Sequence, residues 1–272
     1  MSEGNRQQKD RRFATTLARG LSVLRVFRIT DDGLGNSDIA ERTGLPKSTV
    51  SRLTFTLQSL GYLTNQGRGD RYRPGPALMA LGNLANASMS YVDFAEPILQ
   101  QLANETGTLS VLAVRDDRKM LLVRTWRPTD RSSLWLEAGQ RVPFNGSSSG
   151  HALLASLSNP RFEELAVQVQ DDPDMTPERA AQIRQEAAAQ LSSRGFVIAD
   201  PATYFTPNIH AVSVPFQPGD MDEPVIFSCG AEPRDLPLSR LEQIVGPALR
   251  QSVDKLQRVM GLRPAIQNTG TL

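Results

Sequence analysis

The hydrophobic positions near the N-terminus follow the period of an α-helix. They predict a first helix from about Thr15 to Arg28, because apolar side chains recur there on one face. The apolar positions of that face are Leu17, Leu21, Leu24 and Phe27. A loop follows at 30–35, and Ser37 is a good N-cap for a second helix, which ends at Gly44. Two short helices therefore precede the next apolar stripe.

That next stripe predicts a third helix over Pro46–Leu60. Its buried positions are Val50, Leu53, Leu57 and Leu60. Its opposite face is polar and cationic at the helix N-terminus, where it carries Lys47, Ser48, Thr49, Ser51 and Arg52. A helix that reads DNA needs this arrangement, since side chains at its start reach base edges in the major groove and nearby phosphates. The short interval after Gly44 is typical of a helix-turn-helix corner.

Two short apolar segments after Gly61 predict a β-hairpin. Tyr62–Leu63 and Tyr72 mark its strands, and the Gly-rich segment 66–70 is its turn. The hairpin is a candidate wing, whose cations for phosphate or minor-groove contacts are Arg68, Arg71 and Arg73. The ordinary explanation of each cation taken alone is a solvated surface charge. The combination of a short helix, a tight turn, a helix rich in Ser, Thr and Arg, and a basic hairpin is what predicts DNA binding.

The remaining chain predicts an α+β domain with an antiparallel sheet. Helices are expected at 76–90, 94–106, 148–156, 160–168, 177–193 and 238–260. Strands are expected at 109–115, 120–126, 133–137, 196–199, 210–216 and 225–229. The turn at 116–119 is too short for a crossover helix, so its strands run antiparallel. The amphipathic helix at 76–90 packs either within the chain or against a second copy.

Charge is divided unevenly along the chain. The net charge is +1, but the first 75 residues hold 13 Lys and Arg against 7 Asp and Glu, whereas the remainder holds 17 against 22. A basic head on an acidic body predicts that the head meets a polyanion, although chance clustering is an alternative explanation of the charge by itself.

Composition excludes several other classes of protein. The apolar fraction is 39%, yet no apolar run reaches the roughly 18 residues of a membrane span, so no membrane association is expected. The segment 1–12 is polar and unlike a signal peptide. The single cysteine, Cys229, forbids an internal disulfide and fits a reducing cytoplasm. No zinc-ligand spacing occurs, so neither a metal nor another cofactor is expected.

The segment Gly146–Gly150 reads Gly-Ser-Ser-Ser-Gly and satisfies the G-x-S-x-G pattern of a hydrolase nucleophile elbow. Asp200 and His210 follow in Ser-Asp-His order, so an esterase-like hydrolase using Ser148 is one alternative. The repeated βαβ pattern of such enzymes is missing, and the short pattern is unspecific. The same turn favours a binding site, since a helix start offers backbone N–H groups to a carboxylate. We therefore expect a binding protein and not an enzyme.

Several segments resemble regulators of the IclR family. In the DNA-binding region they are ARGLSVL at 18–24, IAERTGLPKSTVSRL at 39–53, LQSLGYL at 57–63 and YRPG at 72–75. Further along they are GQRVP at 139–143, SGHALLA at 149–155, RGF at 194–196 and VSVP at 212–215. The resemblance covers about residues 14–260. It implies a winged helix joined by a linker helix to a GAF-like effector domain, assembled as a dimer or a dimer of dimers on a pseudo-palindromic operator.

The resemblance also implies a binding site for a small organic acid. The implied residues are Ser148, Ser149 and Gly150 at the helix start, Asp200 in a loop, Ala211 and Ser213 on one strand, and Phe227 and Cys229 on the last strand. A DNA-binding protein that responds to no ligand is the remaining alternative.

This chain departs from the family's usual residues around that site. The family often has PLHATAxGK where this chain has PFNGSSSGH at 143–151, and an acidic pair where it has PATYF at 201–205. Phe227 stands where a small polar residue is common, and Trp135 is a further aromatic candidate for the cavity. These residues predict an aromatic or alicyclic acid rather than glyoxylate or pyruvate. Alternatively, they fill the core and leave little pocket.

Five regions are therefore expected along the chain. They are a disordered arm at 1–13, the winged helix-turn-helix at 14–75, the linker helix at 76–90, the effector-binding and oligomerisation domain at 91–262, and a frayed tail at 263–272.

Overall fold

The computed structural model describes residues 12–28, 30–65, 71–87, 89–130, 134, 136–170, 172, 174–219 and 221–262. Contacts divide the chain into an N-terminal unit that ends at Ser90 and a C-terminal unit that begins at Tyr91. The predicted tail, Arg68, Trp135 and nearly all of the predicted arm lie outside the described residues. Among those that are described, no helix is long and apolar enough to cross a membrane.

The N-terminal unit combines short helices with a small antiparallel sheet. Its helices are α1 (Thr15–Arg25), α2 (Asn36–Thr43), α3 (Lys47–Ser59) and α4 (Pro76–Ala87). Its strands are β1 (Leu34–Gly35), β2 (Leu63–Asn65) and β3 (Arg71–Pro74), which pair in the order β1-β3-β2. The predicted winged helix-turn-helix is confirmed, and β1 extends its sheet into the segment that was expected to be a loop.

The buried face of α1 differs in part from the predicted one, since Leu24 and Phe27 of the predicted stripe do pack against the core. Leu17 and Leu21 belong to the predicted stripe, yet both are exposed, Leu17 at 63%. The buried positions of the helix are Gly20 and Val23, and Val23 packs in the core of the unit. Because Gly20 has no side chain, it gives no hydrophobic signal, although it lies on the face that meets Leu53 of α3. The helix also ends three residues earlier than expected, at Arg25.

The C-terminal unit is built on a six-stranded antiparallel sheet. Its strands are β4 (Leu109–Asp116), β5 (Lys119–Trp126), β6 (Arg141–Pro143), β7 (Val197–Ile198), β8 (His210–Phe216) and β9 (Val225–Ala231). They pair in the order β6-β5-β4-β9-β8-β7. The helices before its last segment are α5 (Ser90–Thr106), α6 (Ser148–Ser156), α7 (Asn159–Gln168) and α8 (Pro177–Arg194). The predicted α+β class and the antiparallel sheet are confirmed.

The last helical segment is interrupted, contrary to the prediction of one helix at 238–260. A single turn at Leu238–Arg240 leads into a π-helical stretch, Leu241–Val245, and then into α9, Gly246–Val259. Pro247 has no amide hydrogen, so it cannot donate the hydrogen bond that an ordinary helix makes at this point.

The strand predicted at 133–137 is wrong, since Leu134, Leu136 and Glu137 have no strand structure and β6 forms the sheet edge instead. The Arg127 guanidinium donates to the Leu136 carbonyl at 2.7 Å and to the Glu137 carboxylate at 2.9 Å. A side chain therefore holds this segment where a strand ladder was expected.

Helices cover both faces of the large sheet. On one face, Val111 of β4 and Ile226 of β9 share a core with Leu153 of α6 and Ile183 of α8. On the other face, the Tyr91 ring of α5 lies 5.9 Å from the Phe216 ring of β8, and the C-terminal helix also packs there. The two faces are therefore separate environments. Successive residues of a strand point to opposite faces, so the parity of a residue's position along its strand decides which face its side chain joins.

Candidate functional site

Gly44 forms the corner between α2 and α3. Its φ is +70°, in the left-handed region that glycine adopts without steric cost, and its N–H donates to the Ala40 carbonyl at 2.9 Å. The Thr43 hydroxyl accepts a hydrogen bond from the Leu45 N–H at 3.3 Å, and Pro46 is the N-cap of α3. The corner thus spans three residues, 44–46, as a helix-turn-helix requires.

The inner side of α3 is fixed by apolar packing and by one buried hydroxyl. Val50 is fully buried, and Leu53 and Leu57 pack around the same core. Thr54 is also fully buried, and its hydroxyl donates to the Asn36 side chain of α2 at 3.0 Å. Leu60 was predicted to be buried but is 61% exposed, because α3 ends at Ser59 before this residue can turn inward.

The outer side of α3 collects the predicted DNA contacts. Lys47, Ser48, Ser51 and Arg52 are exposed, and Thr49 is half-buried. At 3.6 residues per turn, Ser48, Ser51 and Arg52 lie on one face. Phe55 was not predicted as part of this surface, yet it is 69% exposed in the middle of the same face. Its spacing of seven residues from Ser48 is the sequence signal that indicates this position.

The wing strands carry two of the three predicted cations. The Arg71 guanidinium donates to the carbonyls of Asp32 (3.1 Å) and Gly33 (2.8 Å), and Arg73 pairs with the Asp32 carboxylate. Both side chains keep about half of their surface exposed. They therefore brace the wing against the loop before β1 while still presenting positive charge to solvent.

Two glycines shape the start of α6. Gly146 has a φ of +69°, and a Cβ there would lie 2.4 Å from the Thr203 carbonyl oxygen. A Cβ on Gly150 would lie 2.4 Å from the backbone of Phe144. Between them, Ser147 caps the helix, since its hydroxyl accepts from the Gly150 N–H at 3.1 Å. Both glycines of the G-x-S-x-G pattern are thus required by close backbone packing.

A chain of hydroxyl groups connects the start of α6 to the sheet. Its members, in order, are Tyr204, Ser148, Ser213 and Ser228. The Ser213 hydroxyl donates to Ser148 Oγ at 2.8 Å and lies 2.8 Å from Ser228 Oγ. The Tyr204 phenol oxygen lies 3.4 Å from Ser148 Oγ at the other end of this chain. The three serines are buried among apolar side chains. They therefore form a polar end of an otherwise apolar site.

A small cavity of about 40 Å³ adjoins this polar end. Its walls come from five strands (β4, β5, β6, β8 and β9), the segment with Leu134 and Leu136, the start of α6 and the loop between β7 and β8. The lining residues are Leu109, Val111, Leu122, Leu134, Leu136, Val142, Ser147, Ser148, Ser149, Tyr204, Phe205, Ile209, Ala211, Ser228 and Gly230. The polar groups among the described lining are hydroxyls and backbone, and none of these side chains is charged.

The structure brings only part of the predicted ligand site together. Ser148, Ser149 and Ala211 line the cavity, Ser213 joins it through the hydroxyl chain, and Gly150 lies behind it against Phe144. Asp200 is exposed and instead caps a short 3-10 turn, with its carboxylate 2.9 Å from the Ala202 N–H.

Phe227 and Cys229 project from the opposite face of the sheet. The Phe227 ring lies 5.8 Å from that of Phe216 and 6.4 Å from that of Trp126. The Cys229 thiol lies 3.4 Å from the Ser110 hydroxyl, and burial raises its pKa to about 11. The cavity receives Ser228 and Gly230 from this strand instead, so the predicted parity was wrong by one residue.

Comparison with known proteins identifies the family. A sequence model of the IclR helix-turn-helix domain matches residues 16–67, and one described as bacterial transcriptional regulator IclR C-terminal matches residues 85–190. The crystal structure of an IclR family transcriptional regulator from Brucella abortus is 30% identical, covers 93% of this chain and 95% of its own, and superposes with a TM-score of 0.74. This chain belongs to the IclR family. It is therefore a DNA-binding transcriptional regulator of the IclR type.

Other IclR-type proteins extend the comparison. The HTH-type transcriptional regulator TsaQ1/TsaQ2 of Comamonas testosteroni is 29% identical over 250 residues, 90% of this chain and 88% of its own length. Further similar regulators match over only 52 to 61% of their own length. An IclR homolog from Microbacterium hydrocarbonoxydans, crystallised with 4-hydroxybenzoate, shares the fold with a TM-score of 0.64 at 21% identity, covering 88% of this chain and 99% of its own.

The C-terminal unit does not assemble the hydrolase triad that the order of Ser148, Asp200 and His210 in the sequence suggests. Ser148 Oγ is hydrogen-bonded to another serine, whereas His210 Nδ1 lies 2.9 Å from the Leu236 carbonyl oxygen. Asp200 is exposed at its own turn. Among the described residues, therefore, these three side chains do not form the connected nucleophile, base and orienting acid that the mechanism needs.

Proposed function

We propose that this protein is a homodimeric or tetrameric regulator that binds a pseudo-palindromic operator through α3 and senses a small organic acid in the cavity at α6. One observation carries the DNA-binding part of this proposal. Ser48, Ser51 and Arg52 are exposed together on the outer face of α3, which follows a three-residue corner. A bacterial DNA-binding regulator works beside the chromosome, so we propose a cytoplasmic location.

In this proposal α3 enters the major groove. Its donors at the helix start contact phosphates, and its side chains from Lys47 to Arg52 contact base edges. The wing cations Arg71 and Arg73, together with Arg68 outside the described residues, contact the backbone beside the groove. Bracing by Asp32 supports this role, because it fixes the direction of two of these side chains.

Oligomer formation is supported by apolar surface on the N-terminal unit. Helix α4 has no buried residue, although Met79 is 72% exposed and Leu84 is 69% exposed. A second copy of the chain that packs on α4 would cover this surface. Twofold symmetry would then place two α3 helices on half-sites about one DNA turn, roughly 34 Å, apart.

The proposed effector is a monocarboxylic acid with an aromatic or alicyclic body. The first amides of α6, at Ser148 and Ser149, have no partner within the helix, and together with the helix dipole they suit one carboxylate. The uncharged apolar lining suits a hydrocarbon ring and disfavours a second acidic group. The 4-hydroxybenzoate complex of the Microbacterium homolog, which has the same fold, is an example of this chemistry.

The DNA-binding half is tested with the full-length protein and duplexes that it selects from a random pool. We expect Arg52→Ala to weaken binding by about 1–3 kcal/mol and Ser48→Ala or Thr49→Ala to relax the selected sequence. Arg234→Ala, at an exposed site in the C-terminal unit, is the matched control and should leave binding unchanged. If all three α3 variants keep their affinity and sequence preference, α3 is not the recognition helix.

The effector half is tested by thermal stabilisation and by operator affinity in the presence of benzoate, 4-hydroxybenzoate, cyclohexanecarboxylate and pyruvate. We expect the ring-containing acids to act and pyruvate not to act. Ser148→Ala should weaken their effect, whereas Ser158→Ala, at an exposed serine, should not. Stabilisation by pyruvate without any response to the ring-containing acids would refute the proposed ligand class. The size of the response is bounded by the difference in ligand affinity between the two DNA-binding states.

A further inference from the structure

Tyr204 reaches into the site from the loop between β7 and β8. Its phenol oxygen lies 3.4 Å from Ser148 Oγ, at the end of the hydroxyl chain and beside the start of α6. Its side chain lines the cavity together with that of Phe205. Burial raises the pKa of the Tyr204 phenol, so the group is neutral at ordinary pH and acts as a hydrogen-bonding alcohol. A ring with one polar end therefore already occupies this part of the site.

The loop holds Tyr204 there through a contact with the α6 turn. The Phe205 N–H donates to the Gly146 carbonyl at 2.9 Å, and the Thr203 carbonyl fits against the missing Cβ of Gly146. On the other side of Tyr204, the Asp200 cap closes the 3-10 turn at Pro201–Thr203. The hydrogen bond at Phe205 and the Asp200 cap therefore hold the loop on both sides of Tyr204, so that its side chain points inward.

The remaining space is too small for the proposed effector. The cavity of about 40 Å³ has room for only a few water molecules, whereas pockets for small ligands measure roughly 300–1,000 Å³. Most other walls belong to the hydrogen-bonded sheet or to the capped start of α6. The loop between β7 and β8 is the wall whose own residues are exposed, since Ala202, Thr203 and Phe205 all face solvent. It is therefore the wall that can move at least cost.

We propose that Tyr204 is an internal occupant of the effector site and that the effector must displace it. The effector's ring takes the place of the Tyr204 ring, and its polar group takes the place of the phenol oxygen next to Ser148. This inference rests on the proposed function for the identity of the effector, but not for the occupancy by Tyr204. It makes Tyr204 a determinant of specificity, because a ligand without a ring cannot fill the space that Tyr204 leaves.

The occupancy is tested with p-cresol, which is the tyrosine side chain as a free molecule, and with toluene, which lacks its hydroxyl. Calorimetry on full-length Tyr204→Ala should show p-cresol binding, with toluene roughly fivefold weaker for the loss of one hydrogen bond. The native chain and Tyr204→Phe, in which the ring remains, should bind neither compound. A Tyr204→Ala variant that unfolds cooperatively but binds no p-cresol would overturn the proposal, as would equal binding by the native chain.

The displacement is tested on the native chain by hydrogen exchange with 4-hydroxybenzoate, so it does not depend on a variant that folds. Exchange of the Phe205 amide, which is bonded to Gly146, should rise by at least about tenfold when the acid binds. Binding without faster exchange at 200–208 would overturn the displacement. Binding of p-cresol to Tyr204→Ala with no binding of any ring acid would retain the occupancy and refute only the proposed effector class.

Discussion

The Arg42 guanidinium binds the Asp31 carboxylate through two N–H···O hydrogen bonds of 2.6 and 2.9 Å. The same guanidinium donates to the Val26 carbonyl at 3.0 Å, so α2 is tied to the segment that follows α1. Hydrogen bonding to Arg42 lowers the pKa of Asp31. This pair joins α2 to the segment between α1 and β1, and no hydrophobic pattern indicates it.

Replacing Arg42 with alanine should loosen the N-terminal unit without changing the outer side chains of α3. We expect Arg42→Ala to lower local stability by about 1–2 kcal/mol at neutral pH. Because the folded-state pKa of Asp31 is lowered, the stabilisation is present above its unfolded pKa and is lost as pH falls through the folded value. Hydrogen exchange of the amides at 31–43 measures the loss. Arg19→Ala, at an exposed position of α1, should leave those amides protected.

Gly146 and Gly139 provide a matched pair of substitutions. Both have positive φ, at +69° and +92°, but only Gly146 lies against another segment, whereas an added Cβ at Gly139 would meet nothing within 4 Å. Alanine should cost about 1 kcal/mol at Gly139 for backbone strain alone. At Gly146 we expect a further loss of roughly 1–3 kcal/mol, because the Thr203 carbonyl must move.

Tryptophan fluorescence during urea denaturation follows the C-terminal unit, because both tryptophans of the chain, Trp126 and Trp135, and both glycines belong to it. The Gly146→Ala variant should also show faster exchange at the Phe205 amide, since the loop that carries Tyr204 is displaced. Equal unfolding midpoints for the two alanine variants would contradict the role of Gly146 as the contact for this loop.

His151 makes the C-terminal unit sensitive to acid. Burial, and secondarily the positive charge of Arg179, lowers its pKa to about 4 from the ordinary 6.5. The folded state therefore favours neutral His151, and its contribution is complete above about pH 6.5 and lost as pH falls toward 4. The loss reaches about 3 kcal/mol over this window.

Urea denaturation at several pH values checks this dependence. His151→Gln should flatten the fall in stability between pH 7 and 4.5, because no group at this position then has to take up a proton. His210→Gln, which replaces the chain's other histidine, should retain the fall. An unchanged slope in His151→Gln would show that another group controls the acid response.

The sequence predicted helix α3 well for a physical reason. Helix α3 has a strong apolar stripe on one side and a polar face on the other, and it follows a glycine that can end α2. Its limits were therefore predicted within one residue of those observed, Lys47–Ser59. The face of α1 was harder to predict, because its central buried position is Gly20, which leaves no hydrophobic signal. The local hydrophobic pattern thus predicted the positions of helices and strands more reliably than the faces that they bury.

The cavity at α6 was predicted less completely because the last strand, β9, is buried on both sides. Every residue of β9 is buried, so no alternation of polar and apolar positions reveals which parity faces the cavity. On β8, by contrast, the polar Ser213 marked the correct parity. Tyr204 was noted only as part of the segment 201–205 and was not counted among the site residues, because its position depends on a contact with Gly146, far away in the sequence.

Phe55 supplies the last prediction, since a large aromatic ring stands in the middle of the polar face of α3. The ring is 69% exposed beside Ser51 and Arg52, and an apolar side chain in the major groove can contact the C5-methyl group of thymine. We expect Phe55→Ala to weaken binding to the selected operator by about 1–2 kcal/mol. Replacing the contacted thymine with deoxyuridine, which lacks only that methyl group, should weaken binding of the native protein by a similar amount.

The two changes together distinguish a base contact from a general effect of removing the ring. If Phe55 contacts the methyl group, deoxyuridine should cost the Phe55→Ala variant nothing further, because the interaction is already absent. Phe94→Ala removes an exposed phenylalanine from α5 and should leave both affinities unchanged. If Phe55→Ala instead weakens the thymine and deoxyuridine duplexes equally, and sedimentation shows a loss of dimer, the ring serves an interface between copies of the chain.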